Sequence, residues 1–146
     1  MVNDIINGLA VKLNEVFGAD YKIYKESIEQ GFREPCFSIV LLESLNTPKL
    51  QNRYLRETAF DIHYFPKSTT GAKNEMYEIA EQLILALEHI TVKDNGVDSL
   101  CRGSKMRYEI VDNVLHFFVN YDLFVMKELE KSDGMKSVAI NSKTEA

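Results

Sequence analysis

Apolar residues recur every four positions at the start of the chain, at Ile5, Leu9, Leu13 and Phe17, with Ile6, Ala10 and Val16 widening the stripe. That spacing predicts an amphipathic helix. Asn3 is positioned to cap it, Asp4 suits the positive end of its dipole, and Gly18 is placed to end it. Tyr21 and Ile23 then alternate with lysines, predicting a short strand over residues 21–25, and residues 29–35 read as a connector punctuated by Gly31 and Pro35. Residues 36–45 are rich in Phe, Ile, Val and Leu and predict a mostly buried strand. Pro35 can precede it because a proline has no amide to give to a ladder. Asn46, Thr47, Pro48 and Lys49 are turn chemistry. Residues 53–65 alternate strongly, with Phe60, Ile62 and Tyr64 on one face and Ala59, Asp61 and His63 on the other. The two runs predict a long antiparallel hairpin with an extended loop.

A second amphipathic helix follows Gly71, its stripe formed by Met76, Ile79, Ala80, Leu83, Leu87 and Ile90, with Ile84 beside it. Asn95-Gly96 is a strong turn signal. Two further strands are predicted at residues 103–111 and 114–126, joined tightly at Asp112-Asn113. In the last strand Leu115, Phe117, Val119, Tyr121, Leu123 and Val125 share one face, while the other mixes His116, Asn120 and Asp122 with Phe118, Phe124 and Met126. After Met126 the periodicity stops. The fold class read from this order is α+β: a mostly antiparallel sheet of about five strands with two helices packed on one face, a long β-hairpin, and a flexible C-terminal tail. A single domain spans residues 1–126, and residues 127–146 form the polar tail, which is expected to be disordered in an isolated protomer. Val138, Ala139 and Ile140 give that tail one apolar patch, so it is either a bystander or an arm that docks on a neighbour's sheet edge.

Composition excludes several classes. The chain has 146 residues, 45% of them apolar and 10% aromatic, which is enough for a core and too much for global disorder. Seventeen Lys and Arg against 22 Asp and Glu give a net charge of −5, the wrong sign for a specific nucleic-acid binder. The longest apolar run, residues 37–42, contains Ser38 and falls far short of the roughly 20 residues of a membrane span. With no basic n-region or small-residue cleavage site at the N-terminus, a chain that stays in the cytosol is expected. Cys36 and Cys101, far apart and outside any paired motif, read as buried thiols.

Catalytic constellations are not evident. There is no nucleophile elbow, no phosphate-cradling glycine loop and no HExxH pattern. His63 and His116 lie on strands and can face each other, but no Cys or acidic residue stands at a recognised ligand spacing from them. They are read as partly exposed sheet residues, and no bound metal, cofactor or catalytic residue is expected. His89, taken as the end of the second helix, complements its dipole. Asp61 and Glu57, near Arg53 and Arg56, are read as a solvated, charge-mixed strand face.

Two features go beyond ordinary core or surface. One is the set of loops carrying a Phe and two Arg residues: the connector with Gly31, Phe32, Arg33 and Pro35, where Phe32 either anchors a contact or folds back to cap the sheet edge, and the hairpin loop from Thr47 through Leu50 to Arg53. The other is the apolar content of the second face of the last strand, Phe118, Phe124 and Met126, which needs cover from the tail or from a second subunit. Gly31, Phe32, Arg33, Pro35, Leu50 and Arg53 are therefore the candidate subunit or tail interface.

The string Gln30-Gly31-Phe32-Arg33-Glu34-Pro35, together with Ile28, Glu29, Cys36 and Phe37, resembles a family of small tail terminator proteins found in contractile-tailed phages, related prophages and phage-tail-like bacteriocins. The resemblance continues through Phe60-Asp61-Ile62-His63-Tyr64-Phe65-Pro66, the second helix and the closing strand, covering roughly residues 1–126. It implies a structural protein, not an enzyme: a homo-oligomeric ring, expected to be hexameric, at the head-proximal end of the tail. Such a ring stops polymerisation of the tube and contacts the tail tube protein, the sheath protein and a neck or connector protein, in a virion or headless particle assembled in the bacterial cytoplasm. A head-completion or neck protein is the alternative from the same setting. A small cytosolic ligand-binding domain or enzyme using the His63/His116 face is the alternative from another class.

Overall fold

The computed structural model describes residues 2–26, 33–94 and 96–126. The expectations placed on Gly31, Phe32 and residues 127–146 lie outside them. The first element is helix α1 (Val2–Phe17), which buries Ile5, Leu9 and Leu13 completely. Ile6, Ala10 and Phe17 pack at the margin of the core as the periodicity predicts, but Val16 faces outward. Because the helix already begins at Val2, Asn3 is a first-turn residue rather than its cap. Gly18 ends it as expected, with φ 89° and its N–H donated to the Asn14 carbonyl at 3.0 Å.

Strand β1 (Lys22–Tyr24) pairs in parallel with the first residues of β2 (Cys36–Pro48), which turns back into the antiparallel β3 (Arg53–Phe65). The predicted extended loop is absent. β2 continues through Asn46, Thr47 and Pro48, and the reversal is a tight turn, Leu50 to Arg53, with Gln51 at φ 63° and Asn52 at φ 59°. Two successive left-handed residues give the type I′ geometry that matches strand twist. Pro48 is tolerated inside the strand because, among the described residues, β2 beyond Ser38 is paired on one side only, so its missing N–H breaks no ladder.

Helix α2 (Ala72–Ala86) buries Met76, Ile79, Ala80 and Leu83. It stops earlier than its apolar stripe suggests. Leu87 and Ile90 are buried as predicted, but Ile90 belongs to β4 (His89–Asp94), a strand where the apolar stripe predicts a continued helix. His89 is accordingly a strand residue opposite Arg102 and not a helix terminus. β5 (Val97–Val111) starts six residues before its predicted position, because its first part exists to pair with β4. β6 (Val114–Met126) follows across Asp112-Asn113, where φ values of 51° and 62° make another type I′ turn. The result is one six-stranded sheet, ordered β1-β2-β3-β6-β5-β4 and antiparallel except at β1–β2, with both helices on one face. The fold class is the expected α+β, with six strands in place of about five. Cys36 and Cys101 are buried free thiols, and neither helix is long and apolar enough to cross a membrane.

Glu75, in the first turn of α2, secures the junction with β3. Its carboxylate accepts the backbone N–H of Lys67 at 2.8 Å and of Ser68 at 3.0 Å, and also the Tyr64 hydroxyl. Partial burial pushes the Glu75 carboxyl up, but these hydrogen bonds outweigh it and hold the group below its ordinary value. A depressed folded-state value means this stabilisation is complete above the unfolded carboxyl range, near pH 4.3, and is lost as pH falls through the lower folded-state value. Glu75→Ala should cost about 1–3 kcal/mol at pH 7, since it strands the buried Tyr64 hydroxyl. Measured by urea denaturation, the deficit should shrink in acid. A deficit independent of pH would mean the ionised carboxylate is not the stabilising species.

Candidate functional site

The face of the sheet left open by the helices carries the residues with chemistry. Phe60 pairs with Val119 and Ile62 with Phe117 on the core side, so the odd-numbered residues of β3 and the even-numbered ones of β6 face outward. Asp61 and His63, two apart, therefore share a face, and the register sets His63 directly against His116. His63 Nε2 and His116 Nδ1 each lie 2.9 Å from Asp61 Oδ2, and the imidazole centroids are 4.5 Å apart.

Asp61 is only 6% exposed, and its Oδ1 is buried without a hydrogen-bond partner among the described residues. Burial pushes its carboxyl up, but hydrogen bonds and charge from His63 and His116 prevail and hold it below the usual carboxylate range. The ionised carboxylate then accepts an N–H from each ring. Phe65 meets His63 edge-on, Phe118 lies nearly parallel to His116, and the Arg107 guanidinium sits 4.0 Å over Phe118.

This arrangement corrects two sequence expectations. Asp61 is not part of a solvated face, because Val40 and Phe118 flank it in register and the two imidazoles lie against it. An acidic residue does accompany the histidines, and the ligand atoms of all three lie within 4.8 Å of one another. The available signal was the Asp-x-His spacing on one strand; the third member comes from a strand whose register the sequence does not state.

Toward the hairpin turn the same face becomes apolar. Leu55 stands opposite Phe124 and Arg53 opposite Met126, with Phe124 61% and Met126 65% exposed. Leu50, at the turn, is 85% exposed. Arg53 has an intramolecular partner, its guanidinium lying 5.0 Å over the Phe124 ring. At the other end of β2, Arg33 is exposed and donates its backbone N–H to the Tyr24 hydroxyl at 3.2 Å, while the half-buried Pro35 gives its carbonyl to Lys22 N–H at 3.3 Å. The structure thus brings Leu50 and Arg53 together. It separates them from Arg33 and Pro35 by the length of β2, on the order of 40 Å along an extended strand.

A search of curated proteins finds no match. A family model described as phage tail terminator protein matches residues 4–133, from the first turn of α1 through the whole sheet and beyond β6. On that match the chain belongs to the phage tail terminator protein family, whose members are structural components of phage tails.

Proposed function

We propose that the protein forms a six-membered ring at the head-proximal end of the tail, where it stops growth of the tail tube and presents the joining surface for the tube protein, the sheath and the neck. The observation that carries this reading is the outward-facing apolar end of β3 and β6, where Phe124 and Met126 stand exposed beside Leu55. An isolated domain gains nothing by exposing these side chains together on one sheet face, whereas a subunit interface buries them. Among the described residues β2 beyond Ser38 adds an open ladder edge beside this patch, and β4 ends the sheet on the opposite side. A closed ring needs two different, complementary surfaces on each protomer, and these two edges are suited to the task. In this arrangement Leu50 and Arg53 act at one contact, and the connector with Gly31, Phe32, Arg33 and Pro35 at another. The net charge of −5 suits a channel that does not trap DNA.

Native mass spectrometry of the full chain is expected to find a six-copy species. Phe124→Asp should shift it toward monomers while changing thermal stability by no more than about 0.5 kcal/mol, as for an exposed position. A twelve-copy ring would instead favour the neck-protein reading, and an assembly untouched by Phe124→Asp would remove this patch from the interface.

A further inference from the structure

We propose that Asp61, His63 and His116 form a binding site for a divalent first-row transition ion, zinc in the first instance, which clasps the two central strands together on the open face of the sheet. This inference goes beyond the tail role and does not depend on it. Two imidazoles and a carboxylate are the donor set that such ions prefer over calcium or magnesium. Here they converge without rearrangement of the backbone: β3 supplies Asp61 and His63, and β6 supplies His116. Zinc holds nitrogen and oxygen ligands at about 2.0–2.2 Å, which places neighbouring ligand atoms of a tetrahedron roughly 3.3 Å apart. The two 2.9 Å contacts to Asp61 Oδ2 need open by a few tenths of an ångström, and the two ring nitrogens, already within 4.8 Å of each other, must come to about the same 3.3 Å separation to admit an ion.

The carboxylate gives the second, independent observation. A buried anion with one oxygen lacking any donor among the described residues is costly, and the two imidazoles hydrogen-bond only its other oxygen. A cation between the three groups compensates it by charge. The step balances simply. Without metal, His63 carries its proton on Nε2 and His116 on Nδ1, each donated to Asp61. On binding, those nitrogens present lone pairs to the ion and each proton passes to the other nitrogen of its ring. Glu109, beside His116 in register on β5, adds a further negative charge to the neighbourhood. Three protein ligands leave the outward fourth position to water.

The test is calorimetric titration of the full chain with zinc chloride after dialysis against chelator, with cobalt(II) as an optical probe. One ion per chain is expected, with the visible absorption of four-coordinate cobalt, and His63→Gln and His116→Gln should each weaken binding at least about 10–100-fold, the range seen when even outer-shell partners are lost. Nitrogen-15 NMR of the unsubstituted chain supplies a readout that needs no variant: zinc should move the imidazole proton from Nε2 to Nδ1 in His63 and from Nδ1 to Nε2 in His116. Absence of stoichiometric binding, binding that survives both substitutions, or unchanged tautomers at saturation would each overturn the proposal.

Discussion

Phe37→Ala should lower the stability of the domain by about 3–5 kcal/mol, the cost of truncating a fully buried phenylalanine, and its melting temperature by roughly 10–20 °C. Phe37 is completely buried at the centre of an aromatic group, its ring centroid 4.9 Å from Phe17, 5.0 Å from Tyr64 and 5.9 Å from Tyr21. These rings come from the end of α1, the segment before β1, and the neighbouring strand β3. Removing the central ring leaves a cavity and forfeits aromatic contacts worth about 0.5–1.5 kcal/mol per pair. The loss should be read by thermal melting with an unchanged fold in far-ultraviolet circular dichroism. A drop below about 1 kcal/mol, the ordinary effect of a point change, would mean that the amino-terminal helix contributes little to the core.

Gly103→Ala should cost about 1–3 kcal/mol or more, although glycine to alanine inside a strand usually helps. A Cβ on Gly103 would stand 2.5 Å from the Leu87 carbonyl oxygen and 2.9 Å from a Val119 methyl. The crowding has a purpose. At the end of α2 the Glu88 carbonyl accepts the Gly103 N–H at 2.7 Å, and the Leu87 carbonyl accepts the buried Tyr121 hydroxyl at 2.7 Å. The helix terminus thereby spends its free carbonyls on the sheet rather than on water, which requires the backbones to touch. Tyr121→Phe removes only the hydroxyl bond and should cost about 1 kcal/mol. Urea denaturation that found Gly103→Ala neutral would show that this docking tolerates displacement.

The parts of the fold legible in the sequence are those where a hydrophobic period meets a specific turn residue. The β3 and β6 strands appear with their bounds because Phe60, Ile62 and Tyr64 alternate so cleanly and because Asp112-Asn113 suits two left-handed residues. β4 was hidden because Leu87 and Ile90 extend the helical stripe of α2 by coincidence, with no Gly or Pro to mark its end. The alternation of Ile90 and Val92 with His89, Thr91 and Lys93 was the competing period-2 signal, and pairing with β5 decided in its favour. The course of β2 past Pro48 was not legible either, because whether a proline interrupts a strand depends on which side carries a neighbour. The same limit applies to the face chemistry. His63 and His116 were visible as strand residues, but their union with a buried Asp61 follows from the β3–β6 register, a tertiary property. Of Phe118, Phe124 and Met126, the residues of the face expected to need cover, Phe124 and Met126 are exposed, while Phe118 is half-buried between His116 and the Arg107 guanidinium.

The measurement that tests the proposed capping role most directly is electron microscopy of tail tubes polymerised in the presence of the purified protein. Tube protein polymerising alone should give tubes of uncontrolled length. Added protein should stop elongation and appear as extra density at one end only, with six-fold symmetry in averaged end views. Tubes that keep growing with bare ends, or density spread along their length, would contradict the account.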